Sequence, residues 1–378
     1  MPDIPASPLT ADDPPEPMSW LRLHAQRAPA GHWDELRNRL STEGDAAHPP
    51  GLLWSDLLAR LGPDGLNSLN QRMASLRRQV HDNGIPYNVY AQAEQPQRPW
   101  ALDLFPLMIG AQAWQQIERG VRQRMALLEH IMADAYGPQQ LLACGLLPAA
   151  LVQGHPGYLH PMHGVAPVGG HYLSLAAFDL ARGPDGLWWL LSQRTQAPSG
   201  LGYLLENRLI VSRLFPEAFE ALPVQRLAAT YQALVEGLKA RCPVAAGEAP
   251  HIALLTPGPY NETYFEHAYL ARYLGLTLVQ AEDLTVRGEQ LFLKTLQGLQ
   301  RVHGLLKRVD DTWLDPLELR ADSALGVPGL LQAVRSGQVL VANTPGSGFL
   351  ESNALLGFMP ALARHLLGEE LVLPAIPS

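Results

Sequence analysis

Cysteine is nearly absent from this sequence: Cys144 and Cys242 stand alone, far apart and in no metal-type pair. Two such thiols support neither a disulfide framework nor a zinc ribbon, and they suit a reducing compartment. Long apolar runs are missing too, so no segment reads as a membrane span. There is no basic excess: the formal net charge is −8 over 378 residues, which argues against nucleic acid or an anionic membrane as the main partner. Residues 1–17 are acidic and proline-rich without the apolar centre of a signal peptide, so a disordered lead (1–18) and a cytoplasmic location are expected. No internal repeat is found, and no Ser-His-Asp or Cys-His set can be assigned from spacing. What remains is 47% hydrophobic, enough for two or three domains.

Along the chain, apolar spacing is helical in Leu53–Leu61 and again in Leu66–Leu76, with Gly62-Pro63-Asp64-Gly65 as the turn between them. A long helix is expected over about 113–136, ended by Gly137-Pro138. His155, His160 and His163 lie among Gly and Pro; without Cys or carboxylate companions, turn histidines are preferred to metal ligands. Two apolar runs joined by Gly183-Pro184-Asp185-Gly186 predict a hairpin, and the second, around Trp188-Trp189-Leu190-Leu191, reads as a strand covered on both faces. Beyond a linker at 243–250, strands alternate with helices at the pitch of a parallel α/β sheet. A final helix is expected over about 351–367.

Chemistry points first to 194–208, Arg-Thr-Gln-Ala-Pro-Ser-Gly-Leu-Gly-Tyr-Leu-Leu-Glu-Asn-Arg. An apolar strand stops here and a turn with Ser199, Gly200 and Gly202 opens a helix, so backbone N–H groups and a helix start can face an anion. Glu206 and Asn207 offer oxygen donors of the kind Mg²⁺ prefers, and Arg194 and Arg208 offer fixed cations. The Asn207 amide falls in the stripe Tyr203, Asn207, Ile210, Leu214, where a helix–helix hydrogen bond stands about even with a metal role. In parallel sheets ligands sit beyond the carboxyl ends of strands. Three polar clusters fall at those ends: Thr256, Tyr260, Asn261 and Glu262; Arg308, Asp310 and Asp311; and Asn343 with Ser347. These are the candidate substrate residues, although capping and tight turns explain several of them equally well.

Several collinear motifs resemble the circularly permuted ATP-grasp proteins of type 2, related to glutathionylspermidine synthetase. They are Arg98-Pro-Trp-Ala-Leu-Asp103, Asp134-Ala-Tyr-Gly-Pro-Gln139, Arg194-Thr-Gln-Ala-Pro-Ser-Gly200, Glu206-Asn-Arg208, Thr256-Pro-Gly-Pro-Tyr-Asn-Glu262, Arg308-Val-Asp-Asp311 and Leu366-Leu-Gly-Glu-Glu370. The resemblance implies an α/β (partly α+β) permuted ATP-grasp-like fold. Its parts are a mainly helical region at 19–150, an ATP-grasp-like region with the metal and phosphate motif at 151–242, a parallel α/β substrate-binding-like domain at 251–367 and a tail at 368–378. It implies an ATP- and Mg²⁺-dependent carboxylate–amine ligase acting through an acyl phosphate on small or peptide-like substrates. Glu206 and Asn207 match the metal ligands, and Arg194, Ser199, Gly200 and Arg208 the phosphate wall. Gln193 stands where such proteins usually have Asp, and Asp179 on the partner strand is the candidate to replace it. The lysine-bearing strands that cover the nucleotide are expected beyond Ser378, so another stretch of polypeptide would complete the ATP site. The rival reading is a non-catalytic scaffold that binds a ligand or partner; a sugar- or nucleotide-transferring enzyme is weaker.

Overall fold

Helical spacing near the N-terminus builds two helices, α1 (Leu52–Asn67) and α2 (Leu69–Asp82). The expected turn at 62–65 is a kink instead: Gly62 takes a left-handed φ of 61°, and Pro63, lacking a donor, starts one more helical turn. The computed structural model describes residues 28–42, 51–83, 86–87 and 98–376, so the expected lead at 1–18 lies outside the described residues. Helix α3 (Ala111–Ala135) buries Ile117, Leu128 and Met132 as the spacing predicts. The β1 (Ala177–Arg182) and β2 (Trp188–Arg194) hairpin follows.

The hairpin differs from expectation in its surroundings. It is a two-stranded sheet rather than a strand pair inside a larger one. Trp188, Leu190 and Gln193 are buried while Arg194 is exposed, so β2 has one covered face. The tail covers part of its edge: Leu190 donates its N–H to the Pro374 carbonyl at 2.8 Å, and Ile376 donates back to the Leu190 carbonyl at 3.0 Å.

After α4 (Leu201–Leu214) and α5 (Ala228–Arg241) comes the central sheet, begun by β3 (Ile252–Leu255). Helix α6 (Tyr264–Leu274) crosses to β4 (Thr277–Val279), and an antiparallel three-stranded unit follows: β5 (Leu284–Arg287), β6 (Gln290–Thr295) and β7 (Gly298–Arg301), the last not anticipated. The chain then returns to β8 (Gly304–Lys307), passes α7 (Leu330–Arg335) and adds β9 (Leu340–Ala342). All pairings in the central sheet are parallel, in the order β9-β8-β3-β4. Every residue of β3, β8 and β9 is buried, as expected of a sheet covered on both faces. The expected last helix is broken into a 3₁₀ turn at Ser347–Glu351, a short helix at Asn353–Leu356 and α8 (Met359–Leu366). Pro360 fits the first turn of α8, where its missing N–H leaves no bond unmade.

Packing joins residues from both sides of the 243–250 linker. Tyr231 and Leu238 of α5 share a buried cluster with Ile252 and Leu254 of β3 and Leu306 of β8. Helix α4 lies between two such clusters. Its Tyr203, Ile210 and Leu214 pack with Leu57, Leu61 and Leu76 of the entry helices, while Leu205 joins the sheet cluster. Burying each such leucine contributes about 2 kcal/mol, so this placement is a main tie between the helical entry and the sheet.

Candidate active site

Strand order fixes where a cavity forms. From β3 the chain goes first to β4 on one side and later to β8 on the other, so the segments leaving β3 and β8 diverge and open a crevice at their carboxyl ends. A cavity of about 380 Å³ occupies it. The segment after β3 contributes Pro257, Asn261, Glu262, Thr263 and His267. The segment after β8 contributes Arg308, Val309, Asp310 and Trp313, and Ala197 and Ser199 close the side nearest the hairpin. Glu262, Asp310 and Ser199 are exposed at the mouth.

Arg308 is the unusual member. It is 5% exposed, and its Nε and Nη2 are buried without any hydrogen-bond partner. A buried guanidinium normally has its fork of donors met. Burial pulls the Arg308 pKa below the usual arginine value, with Glu266 acting in the opposite direction. His267, beside it, is pushed down to about 3, first by burial and then by the Arg308 charge. The imidazole is therefore neutral near pH 7, set between the Thr256 hydroxyl at 2.9 Å and the Thr263 hydroxyl at 3.1 Å.

The remaining strand-end residues divide sharply. Asn261 accepts from the Thr263 N–H and hydroxyl at 3.0 and 2.7 Å, a turn ahead of α6, which starts at Tyr264 and not at Asn261. Tyr260 is 81% exposed and outside the cavity wall. Thr256 is buried, held to His267 and to the Gly258 N–H. Asp311 is buried in an ion pair with Lys307 at 2.7 Å and accepts from the Gly346 N–H at 2.8 Å. Asn343 spends its amide on backbone: Oδ1 accepts from Ser174 and Leu175, and Nδ2 donates to the Leu175 and Thr195 carbonyls. Ser347 is fully buried. The structure places the side chains of Thr256, Asp311, Asn343 and Ser347 inside the protein, where the first three tie loops together.

Those ties explain why the motifs occur together. The Lys307 ammonium donates to the Gln196 carbonyl at 2.5 Å, and the Asp311 N–H donates to Gln196 Oε1 at 3.2 Å. Glu351 accepts from the Thr195 and Gln196 N–H groups at 2.6 and 2.7 Å. At the start of α4, Glu266 accepts from the Gly200 and Gly202 N–H groups at 2.7 and 3.2 Å. The turn predicted to receive an anion does receive one, twice, and both carboxylates belong to the protein. The Gly200 N–H is thus taken by Glu266, whereas Ser199 lines the cavity.

Further along α4, Glu206 is buried, takes the Asn83 amide at 2.5 Å and stands beside Tyr269, whose hydroxyl burial and the Glu206 charge hold well above its ordinary pKa. Asn207 accepts from the Trp100 indole at 3.0 Å, and Trp100 stacks on Tyr203 with centroids 4.3 Å apart. Arg208 donates to the Gln225 carbonyl at 2.9 Å and lies over Phe219. On the hairpin, Arg194 holds both Asp179 oxygens, at 2.6 and 2.7 Å, and Ser192 also donates to Asp179. Burial opposes ionisation of Asp179, but Ser192 and Arg194 outweigh it and hold the carboxyl below its ordinary value. Asp179 pairs across the hairpin with Ser192, whereas Gln193 pairs with Phe178. Successive strand residues face opposite ways, so Asp179 cannot stand in for Gln193.

The sequence pattern of circularly permuted ATP-grasp type 2 proteins matches residues 106–378. The chain belongs to this family. ATP-grasp proteins are in general ATP-dependent ligases. Among similar proteins, an uncharacterized protein of Mycobacterium tuberculosis (strain ATCC 25618 / H37Rv) is 40% identical over 331 residues, covering 85% of this chain and 37% of its own length. A second from that strain is 35% identical over 326 residues, covering 86% of this chain and 58% of its own length. One from Synechocystis sp. (strain ATCC 27184 / PCC 6803 / Kazusa) is 34% identical over 323 residues, with 85% and 66% covered. The chain thus spans between about a third and two thirds of these relatives. A glutathione synthetase-like effector from Globodera pallida, in its apoform, aligns with a TM-score of 0.49 at 13% identity, over 79% of this chain and 67% of that one.

Membership raises the question of Mg²⁺ and ATP, and the candidate metal set does not fit. Glu206 and Asn207 accept from different partners and Asp179 is committed to Arg194, so the three belong to separate networks. Among the described residues no group of three or more His, Cys, Asp or Glu could hold a metal ion, the loop histidines at 155–163 included. Sequence reasoning missed Glu266, Glu351, Gln196, Lys307 and His267. Lys307, a buried-strand cation just before an Asp-Asp pair, and Gln196, inside the 194–200 motif, carried a local signal; Glu266, Glu351 and His267 act across the fold from helices and loops with no motif of their own.

Proposed function

We propose that this chain is the carboxylate-holding part of an ATP- and Mg²⁺-dependent ATP-grasp ligase that joins a carboxylate to an amine. The observation that carries the reading is the cavity at the β3/β8 switch, floored by the unpartnered Arg308, in a member of a ligase family. ATP, where bound, supplies the phosphoryl group that turns a carboxylate into an acyl phosphate open to an amine. The chain's own residues have narrower tasks. Arg308 holds one carboxylate end, the Lys307–Asp311 pair and Gln196 fix the Ala197–Ser199 wall, and buried surroundings keep water from the floor. Since Asp179, Glu206 and Asn207 form no metal site together, the nucleotide and metal are assigned to a composite site completed by polypeptide from outside this chain. The substrates are small or peptide-like, and a cytoplasmic setting suits ATP chemistry.

The same internal pairing of Asp179, Glu206 and Asn207 favours a second reading, a ligand-binding scaffold without catalysis. To separate them, the chain alone and a version extended with the following region of a longer relative are given Mg-ATP, a carboxylate panel and an amine. The ligase reading expects one amide per ADP from the extended version and none from the chain alone. ADP without amide means kinase-like chemistry. Absence of nucleotide binding and of ADP in both favours the scaffold.

A further inference from the structure

The cavity is lined by a buried positive group and by exposed negative ones. At the floor is Arg308, with Nε and Nη2 buried and, among the described residues, neither a hydrogen bond to those atoms nor an ion pair. Glu266, whose charge acts on Arg308, makes no ion pair with it: its Oε1 accepts from the Gly200 and Gly202 N–H groups at the start of α4 and its Oε2 is buried without a hydrogen bond among the described residues. His267 beside it is neutral, so the guanidinium is the fixed charge of the floor. At the mouth stand Glu262 and Asp310, both exposed and neither in an ion pair. Trp313 and Leu325 give the wall between them an apolar side.

A ligand matching this layout is anionic at its buried end, cationic at its outer end and partly apolar between. A phosphate matches only the floor, and its larger negative charge would meet Glu262 and Asp310 as it entered. We propose that the cavity binds a zwitterionic amino acid or dipeptide, its carboxylate on Arg308 and its ammonium between Glu262 and Asp310. The volume of about 380 Å³ lies within the range of small-molecule sites and admits a ligand of that size. A guanidinium fork meets a carboxylate with two parallel hydrogen bonds, which would satisfy the two orphaned donors. The inference depends on the proposed function only in naming this cavity as the substrate site; binding itself needs neither ATP nor turnover.

Calorimetry on the chain without nucleotide tests it. The probes are the free L-amino acids and simple dipeptides, then the N-acetyl and C-amide analogues of the tightest binder, with inorganic phosphate and ADP as competitors. The C-amide should lose about thirtyfold or more, because it leaves the guanidinium buried and unpaired. Arg308→Met, which keeps bulk and removes a buried charge, should lose binding to the same degree while melting as a folded protein. Glu262→Gln with Asp310→Asn, both on the surface, should weaken the free zwitterion and leave the N-acetyl analogue unchanged. The proposal is overturned if no probe binds the folded chain, if the amide equals the acid, if Arg308→Met binds normally, or if phosphate or ADP displaces the ligand. Binding of the free zwitterion to the surface double variant as tight as to the wild type removes the ammonium half. None of these outcomes depends on ADP formation, so a failed ligase assay and a failed binding assay remain distinct results.

Discussion

The turn at 195–202 and the floor of the β3/β8 cavity are both built to meet a negative charge, yet only one of them is still open. At the turn, N–H groups and a helix start face outward from a glycine-containing loop, and Glu351 and Glu266 fill them from elsewhere in the fold. At the floor, the Arg308 guanidinium is buried with two donors, Nε and Nη2, that nothing among the described residues meets. A motif shows that a chain can bind an anion. Whether a ligand or the protein itself supplies that anion depends on what packs opposite.

Four experiments break or sharpen this contrast, and the largest effect is expected with pH. His267 has a folded pKa of about 3 against an unfolded value of 6.5, so the unfolded state binds the extra proton first. Stability is full above pH 6.5 and falls as pH drops toward 3, by about 4 to 5 kcal/mol at the limit. Urea melts of wild type and His267→Asn across that window check it; an equal slope in both would remove His267 as the source of the pH dependence. Next, Asp311→Ala leaves Lys307 buried and unpaired and should lower stability by about 4 kcal/mol. A double change to Lys307→Met and Asp311→Leu should recover much of the loss, and a Tm that stays low in the double variant would mean the loop ties, not the charge, dominate.

Glu266→Ala empties the start of α4 and should cost about 3 kcal/mol, partly restored by added formate, since two buried N–H groups lose their acceptor. No rescue at high formate would argue that the turn is not an anion receptor at all. The smallest pair completes the comparison. Arg194→Ala breaks a half-exposed ion pair and should shift stability by under about 1 kcal/mol, less in high salt. Arg308→Met should be neutral or stabilising by about 1 kcal/mol, because it removes a buried charge without partners. A large loss from Arg308→Met would show that the fold, and not a ligand, is what needs the guanidinium.

Local pattern was enough for much of the scaffold. Helical spacing placed α3 and α4 within a few residues, the Gly183–Gly186 turn placed the hairpin, and alternation of strands and helices after residue 250 placed the parallel sheet. Where a glycine or proline could either stop or kink a helix, as at Gly62 and around Gly357-Pro360, spacing did not distinguish the outcomes. The site was half legible. Glu262, Arg308, Asp310 and Ser199 line the cavity, while Thr256, Asp311 and Asn343 have the same polar character at the same strand ends and are spent on internal bonds, and Ser347 is buried.

The sequence by itself determined the family, the parallel sheet and the strand ends at which polar residues gather, because each is written in local spacing and collinear motifs. Only the tertiary structure decided which of those polar groups stay open to a ligand. That choice depends on partners such as Glu266 and Glu351, brought in from distant segments by burial of α4 and the sheet, and no local pattern records which carboxylate will arrive opposite which amide.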